Sequence, residues 1–143
     1  MRRSMNLVML LMVVAALLFA SCATEEEAVR PQRPLDGIDL EFLGSRIELR
    51  NPSPRAGEEV EMAVVVRNSG NRDVRRVQVI FYDNLRLFAS EQIDLEPGGQ
   101  IRLISRWRAT PGSHTLSVII DPARHFKELD RKKTEVSTSV FVR

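Results

Sequence analysis

The sequence predicts an all-β protein, an antiparallel β-sandwich of about seven strands that follows a cleaved N-terminal signal. Three observations predict it. Apolar residues from position 37 onward recur with a period of two rather than 3.6. The turn signals "NSGNRD", "EPGG" and "TPGS" separate these runs at the spacing of short antiparallel strands. An unbroken apolar run ahead of them ends at small residues and the only cysteine, which sets a leader apart from the domain.

The leader comes first. Arg2 and Arg3 precede a 14-residue apolar run, Leu7 to Ala20, and then Ser21 and Cys22. A membrane-spanning helix needs about 20 such residues, so the basic start, apolar middle and small end fit an export signal over 1–21 better than a permanent span. Phe19-Ala20-Ser21-Cys22 resembles the lipobox of bacterial lipoprotein signals. That resemblance implies a lipid-modified Cys22 that becomes the acylated first residue after cleavage. Phe19 stands where leucine is usual, and Ser21 is a less common choice than glycine or alanine. A single free thiol in an oxidising compartment invites intermolecular disulfides, and acylation removes that hazard. Several acyl chains anchor stably where one would not.

Residues 22–36 read as a lipidated flexible tether. The stretch "ATEEEAVRPQRPLD" holds too few apolar residues to offset the entropy of ordering it. Ala23, rather than aspartate, follows the cysteine, which by resemblance to the enterobacterial sorting pattern favours the outer membrane. Cleavage removes Arg2 and Arg3 from the 21 basic residues and none of the 19 acidic ones, so the mature chain is formally neutral. The overall pI of about 9.1 therefore carries no nucleic-acid footprint.

The domain occupies 37–143, a length that folds without disulfide or metal. Two short strands are expected near Ile38 to Phe42 and Ile47 to Leu49. Val60, Met62, Val64 and Val66 then share one face, and Val77, Val79 and Phe81 another. Ile101, Leu103, Ser105 and Trp107 alternate with Arg102, Ile104, Arg106 and Arg108. Leu116, Val118 and Ile120 follow, and Val136, Thr138, Val140 and Val142 close the set. Asn68 and Gly70 suit a turn with positive φ, and Trp107 is expected to fill the space between the sheets. "PARHFKELDRK" has room for one helical turn but no sustained apolar stripe.

The order of these pieces resembles the CARDB family, the cell-adhesion-related domain found in bacteria. The resemblance rests on "PRAGEEV" (Pro54 to Val60), "VRNSGNRDV" (Val66 to Val74), "LEPGG" (Leu95 to Gly99), Trp107, "PGSHTLSVIIDP" (Pro111 to Pro122) and Glu128. It implies an immunoglobulin-like or fibronectin-III-like sandwich. After Glu128 the family's paired asparagines give way to "LDRKK", so no role of theirs carries over.

Nothing in the inventory assembles catalysis or a cofactor site, and the protein is expected not to be an enzyme. His114 reads as structural or solvated. His125 can meet Asp121, but no nucleophile lies near it in sequence. Asp121, Glu128 and Asp130 flank one loop that could offer oxygen ligands to a cation, yet Arg124, Lys127, Arg131, Lys132 and Lys133 oppose one there, and no metal ligand is assigned.

Arg102, Ile104, Arg106 and Arg108 share the outward face of one strand and form the candidate interaction surface, with Arg75 and Arg76 in another β-region. A solvated face paired with Glu59 and Glu61 is the plainer reading. Val65, Ile80, Ile104 and Ile119 also point outward, which implies either a covering layer or a partner. With Trp107 inward, Tyr82 alone is a thin sugar platform. The expected function is a membrane-anchored envelope module that binds an envelope or surface protein without catalysis. The alternative is a structural or accessory subunit of an envelope assembly, and a sugar- or cation-binding lipoprotein fits less well.

Overall fold

The computed structural model describes residues 37–126, 130 and 132–143. The signal, the tether with Cys22, and Glu128 lie outside the described residues. Eight strands form: β1 (Leu40–Phe42), β2 (Glu48–Leu49), β3 (Glu59–Asn68), β4 (Val74–Asp83), β5 (Arg86–Leu95), β6 (Gln100–Arg108), β7 (Gly112–Ile120) and β8 (Glu135–Val142). Every pairing between them is antiparallel.

β3 is the middle of one sheet. β6 pairs along one side of it, from Glu59 opposite Arg108 to Arg67 opposite Gln100. β1 and β2 share the other side, with Phe42 opposite Val66 and Glu48 opposite Ala63. They are two pieces of one ribbon, broken where Gly44 adopts φ +100°. The second sheet runs β5-β4-β7-β8. Three ribbons packed on four strands give the sandwich that the alternation predicts.

The inward faces meet as expected. Val60, Met62, Val66, Val77, Val79, Phe81, Leu116, Val118 and Ile120 are all essentially sealed from water, and Trp107 is 2% exposed. Each such side chain contributes about 1.5–3 kcal/mol through burial, which makes the alternating register costly to slip.

Two local readings change. β5 is a strand the sequence pattern conceals: Leu87, Phe88 and Ala89 are consecutive apolar residues, only Ile93 and Leu95 are buried, and its pairing with β4 shifts register twice. An edge strand interrupted by bulges loses the simple period of two. Asn68 and Gly70 do not take positive φ. Asn68 is wholly buried, its Nδ2 donating to the Arg72 carbonyl at 2.8 Å and its Oδ1 accepting from Gly70 N–H at 3.1 Å. Gly70 is needed for close approach, because a Cβ there would sit 2.3 Å from the Gly37 carbonyl oxygen. The positive φ falls instead at Asn84 (47°) and Leu85 (69°), a tight hairpin turn between β4 and β5. As the missing apolar stripe leads one to expect, no long helix forms in the described part of "PARHFKELDRK"; residues 127–129 and 131 lie outside the described residues. Asp121 caps that loop instead, its carboxylate accepting from His125 N–H at 2.9 Å and Phe126 N–H at 3.0 Å.

Candidate interaction surface

The alternation of β6 divides it cleanly. Leu103, Ser105 and Trp107 are buried, whereas Arg102, Ile104, Arg106 and Arg108 are exposed, Ile104 at 51%. On the outer face, cross-strand register puts Arg108 opposite Glu59, Arg106 opposite Glu61, Ile104 opposite Ala63 and Arg102 opposite Val65. The ion pair that forms is a different one. Arg102 Nη1 reaches Glu48 Oε2 on β2 at 2.8 Å, passing over Ala63, which is 3% exposed. The expected pairing with Glu59 and Glu61 is one of register only. Arg106 and Arg108 have no ion-pair partner among the described residues. Arg75 and Arg76 belong to β4 in the other sheet, where Arg75 pairs with Asp73 at 2.8 Å, so they do not extend the stripe.

Two polar clefts indent this face. One, of about 310 Å³, lies between Glu48, Arg50, Glu61 and Arg102, and another of about 390 Å³ lies between Arg50, Asn51, Glu58 and Arg106. Asn51 Nδ2 donates to Glu58 Oε1 at 2.8 Å, and Arg55 N–H donates to its Oε2 at 3.1 Å. These bonds, the asparagine's first, hold the Glu58 carboxyl below the ordinary glutamate value. Neither cleft has an aromatic wall for a sugar ring. Of the four outward apolar residues, Val65, Ile80 and Ile119 are half-buried by the sheets themselves, leaving Ile104 as the one that is more than half exposed. Phe141 on β8, 64% exposed, is an outward aromatic that the sequence reading passed over.

The edge of β6 matters as much as its face. Ala109 N–H donates to the Glu58 carbonyl, and Asn68 N–H donates to the Gly99 carbonyl, each at 2.9 Å. On the far side of β3, Leu43 and Arg50 donate to the carbonyls of Val65 and Glu61. Even-numbered β3 residues therefore bond to β6 and odd-numbered ones to β1 and β2. By the alternation of antiparallel ladders, Ile101, Leu103, Ser105 and Trp107 direct their peptide groups to β3. Arg102, Ile104, Arg106 and Arg108 direct theirs away, along an edge that no other described strand pairs. The residues with exposed side chains are the residues with open peptide groups.

The two histidines meet different ends. Asp83, absent from the sequence reading, receives Trp107 Nε1–H at 3.0 Å and pairs with His114 Nδ1 at 2.7 Å. His114 Nε2 lies 2.8 Å from the Thr110 carbonyl oxygen, and its ring stands edge-on to Trp107 with centroids 5.1 Å apart. An Asp–His pair invites comparison with an acid–base dyad. Here both ring nitrogens are engaged and the side chain is 6% exposed, so neither can meet a reacting atom. The cluster is a polar pin through the core.

The Asp121 loop does not build a cation site from the described residues. The Asp121 carboxylate is committed to two backbone amides and to His125 Nδ1 at 3.3 Å, and Asp130 Oδ1 accepts from Lys132 N–H at 3.0 Å. Among the described residues no group of three or more metal-binding side chains converges.

Comparison with known proteins places this geometry. The CARDB family model matches residues 38–138. The crystal structure of the CARDB domain of the PF1109 protein from Pyrococcus furiosus, a complex with di-metal ions, superposes with a TM-score of 0.69 at 21% identity, over 78% of this chain and 93% of that one. A domain spanning 272–376 of a proposed cell surface protein from Methanosarcina acetivorans gives 0.55 at 18% identity, over 71% and 94%. A β-glucosidase from Erythrobacter marinus gives 0.56 at 14% identity, over 74% of this chain but 16% of the enzyme. At these identities the likeness is one of fold. No curated protein matches the chain.

Proposed function

We propose, from the premise that this chain belongs to the CARDB family, that it is a lipid-anchored bacterial envelope lipoprotein whose sandwich is a non-catalytic docking module for another envelope protein. The observation that carries the reading is the β6 strand. Its exposed side chains and open peptide groups coincide, while the Asp83–His114 pair is engaged inside the core. Di-metal binding belongs to the Pyrococcus furiosus domain; here both Asp121 carboxylate oxygens and Asp130 Oδ1 accept from loop amides.

The anchor follows from the lipobox-like Phe19-Ala20-Ser21-Cys22, and Ala23 favours the outer membrane. Tethering confines the search to the membrane plane, so a weak contact acts at high effective concentration. The test is Cys22→Ala with labelled palmitate and membrane fractionation. Loss of label and an unprocessed size are expected; retained label or an unchanged size would refute the anchor. Crosslinking from membranes with the acylated protein then identifies the partner, and a transient module purifies as a monomer once the signal and Cys22 are removed.

A further inference from the structure

Building on that docking role, we infer that the open edge of β6 accepts an extended acidic segment as an added antiparallel strand, with the pattern acidic-x-apolar-x-acidic. Three features select this occupant. First, the peptide groups of Arg102, Ile104, Arg106 and Arg108, which no other described strand pairs, form a ready template for β-augmentation. Second, an added strand places every second side chain directly across from Arg102, Ile104 and Arg106 on the outer face. Carboxylates across from the two arginines and an aliphatic residue across from Ile104 complement it, and the pattern reads the same in both chain directions. Third, Arg106 has no ion-pair partner among the described residues, so its charge is available to an incoming carboxylate.

The same arginines argue against a second copy. Antiparallel self-pairing centred on Ile104 sets Arg102 against Arg106 twice, and centring on Arg106 sets it against itself. Like charges directly opposed destabilise the pair. Those two registers are thus disfavoured for a second copy, whereas an acidic strand meets opposite charge at both arginines.

The probe is the labelled peptide Thr-Glu-Thr-Val-Thr-Glu-Thr, titrated by fluorescence anisotropy against the full chain in detergent. Its counterpart Thr-Lys-Thr-Val-Thr-Lys-Thr controls for charge. We expect the glutamate peptide to bind at least about tenfold more tightly, and Arg106→Glu to weaken it by about tenfold while improving the lysine peptide. N-methylation of the glutamate and valine amides should abolish binding, whereas N-methylation of the threonine amides should not, because only one alternate set faces β6. Equal affinity for both peptides, or equal tolerance of both methylation sets, would overturn strand addition. So would a concentration-dependent dimer that Arg106→Glu strengthens or leaves intact. The docking role fails separately: a crosslinked partner kept by Arg106→Glu removes the edge but leaves the module, and no partner for the wild type removes the module.

Discussion

Replacing Asp83 by alanine tests the polar pin. The carboxylate accepts from Trp107 Nε1 at 3.0 Å and pairs with His114 Nδ1 at 2.7 Å, and both partners are buried. Removing it orphans two buried donors at about 1–3 kcal/mol each. Asp83 itself is 20% exposed, so water can reach part of the vacated space and the expected loss is in the lower half of that sum, ~2–4 kcal/mol. Against a typical stability of about 5–15 kcal/mol this is a large fraction. Urea unfolding followed by far-UV circular dichroism and by the fluorescence of the single tryptophan reads it directly. A cycle with His114→Phe should show coupling of ~1 kcal/mol or more, since the second substitution removes one of the donors that the first would orphan. A loss within ~0.5 kcal/mol for Asp83→Ala, or strict additivity, would refute the pin.

Gly70→Ala should cost ~2 kcal/mol or more, because the new Cβ meets backbone atoms of Gly37 and Asp39 rather than a flexible side-chain end; thermal unfolding measures it. Leu85→Gly should stabilise by about 0.5–1 kcal/mol, since Leu85 holds φ 69° while 90% exposed and Asn-Gly is the preferred pair for this turn. A fall in melting temperature would show that Leu85 makes a contact that outweighs its strain. The Glu58 carboxyl is depressed in the folded state, so its contribution is present above the ordinary glutamate pKa of about 4.3 and is lost as pH falls through the lower folded value. The stability gap between wild type and Glu58→Gln should close on acidification over that window, as followed by chemical denaturation at a series of pH values.

Much of the fold was legible because burial of alternate residues is a local signal. Val60 to Val66 and Leu116 to Ile120 fall on the core face that their spacing assigns, and Trp107 goes inward. What escaped was set by neighbours rather than by spacing. β5 lies at an edge, and the bulge where Arg76 takes φ 51° breaks its register. Gly70 looked like a turn glycine, yet it is held by the approach of the segment at Gly37, more than thirty residues away. Asp83 carried no signal at all: its partners are Trp107 and His114, and only the pairing of β7 beside β4 and the packing of β6 from the other sheet bring them to it.

The candidate surface divides the same way. Alternation alone assigns Arg102, Ile104, Arg106 and Arg108 to the outer face, and the structure agrees. Whether a face can recruit a strand depends on two further facts, that the strand is at an edge and that the outward residues own the open peptide groups. The first is topological, since β6 pairs with β3 on one side and with no other described strand on the other. The second is a question of parity, and a shift of the β3–β6 register by one residue would hand the open peptide groups to Leu103, Ser105 and Trp107 while turning the arginines inward. Burial of Trp107 and Leu103 forbids that shift. The core that hides the apolar half of β6 therefore also decides which peptide groups its basic half presents, and a partner strand reads the register that the core has set.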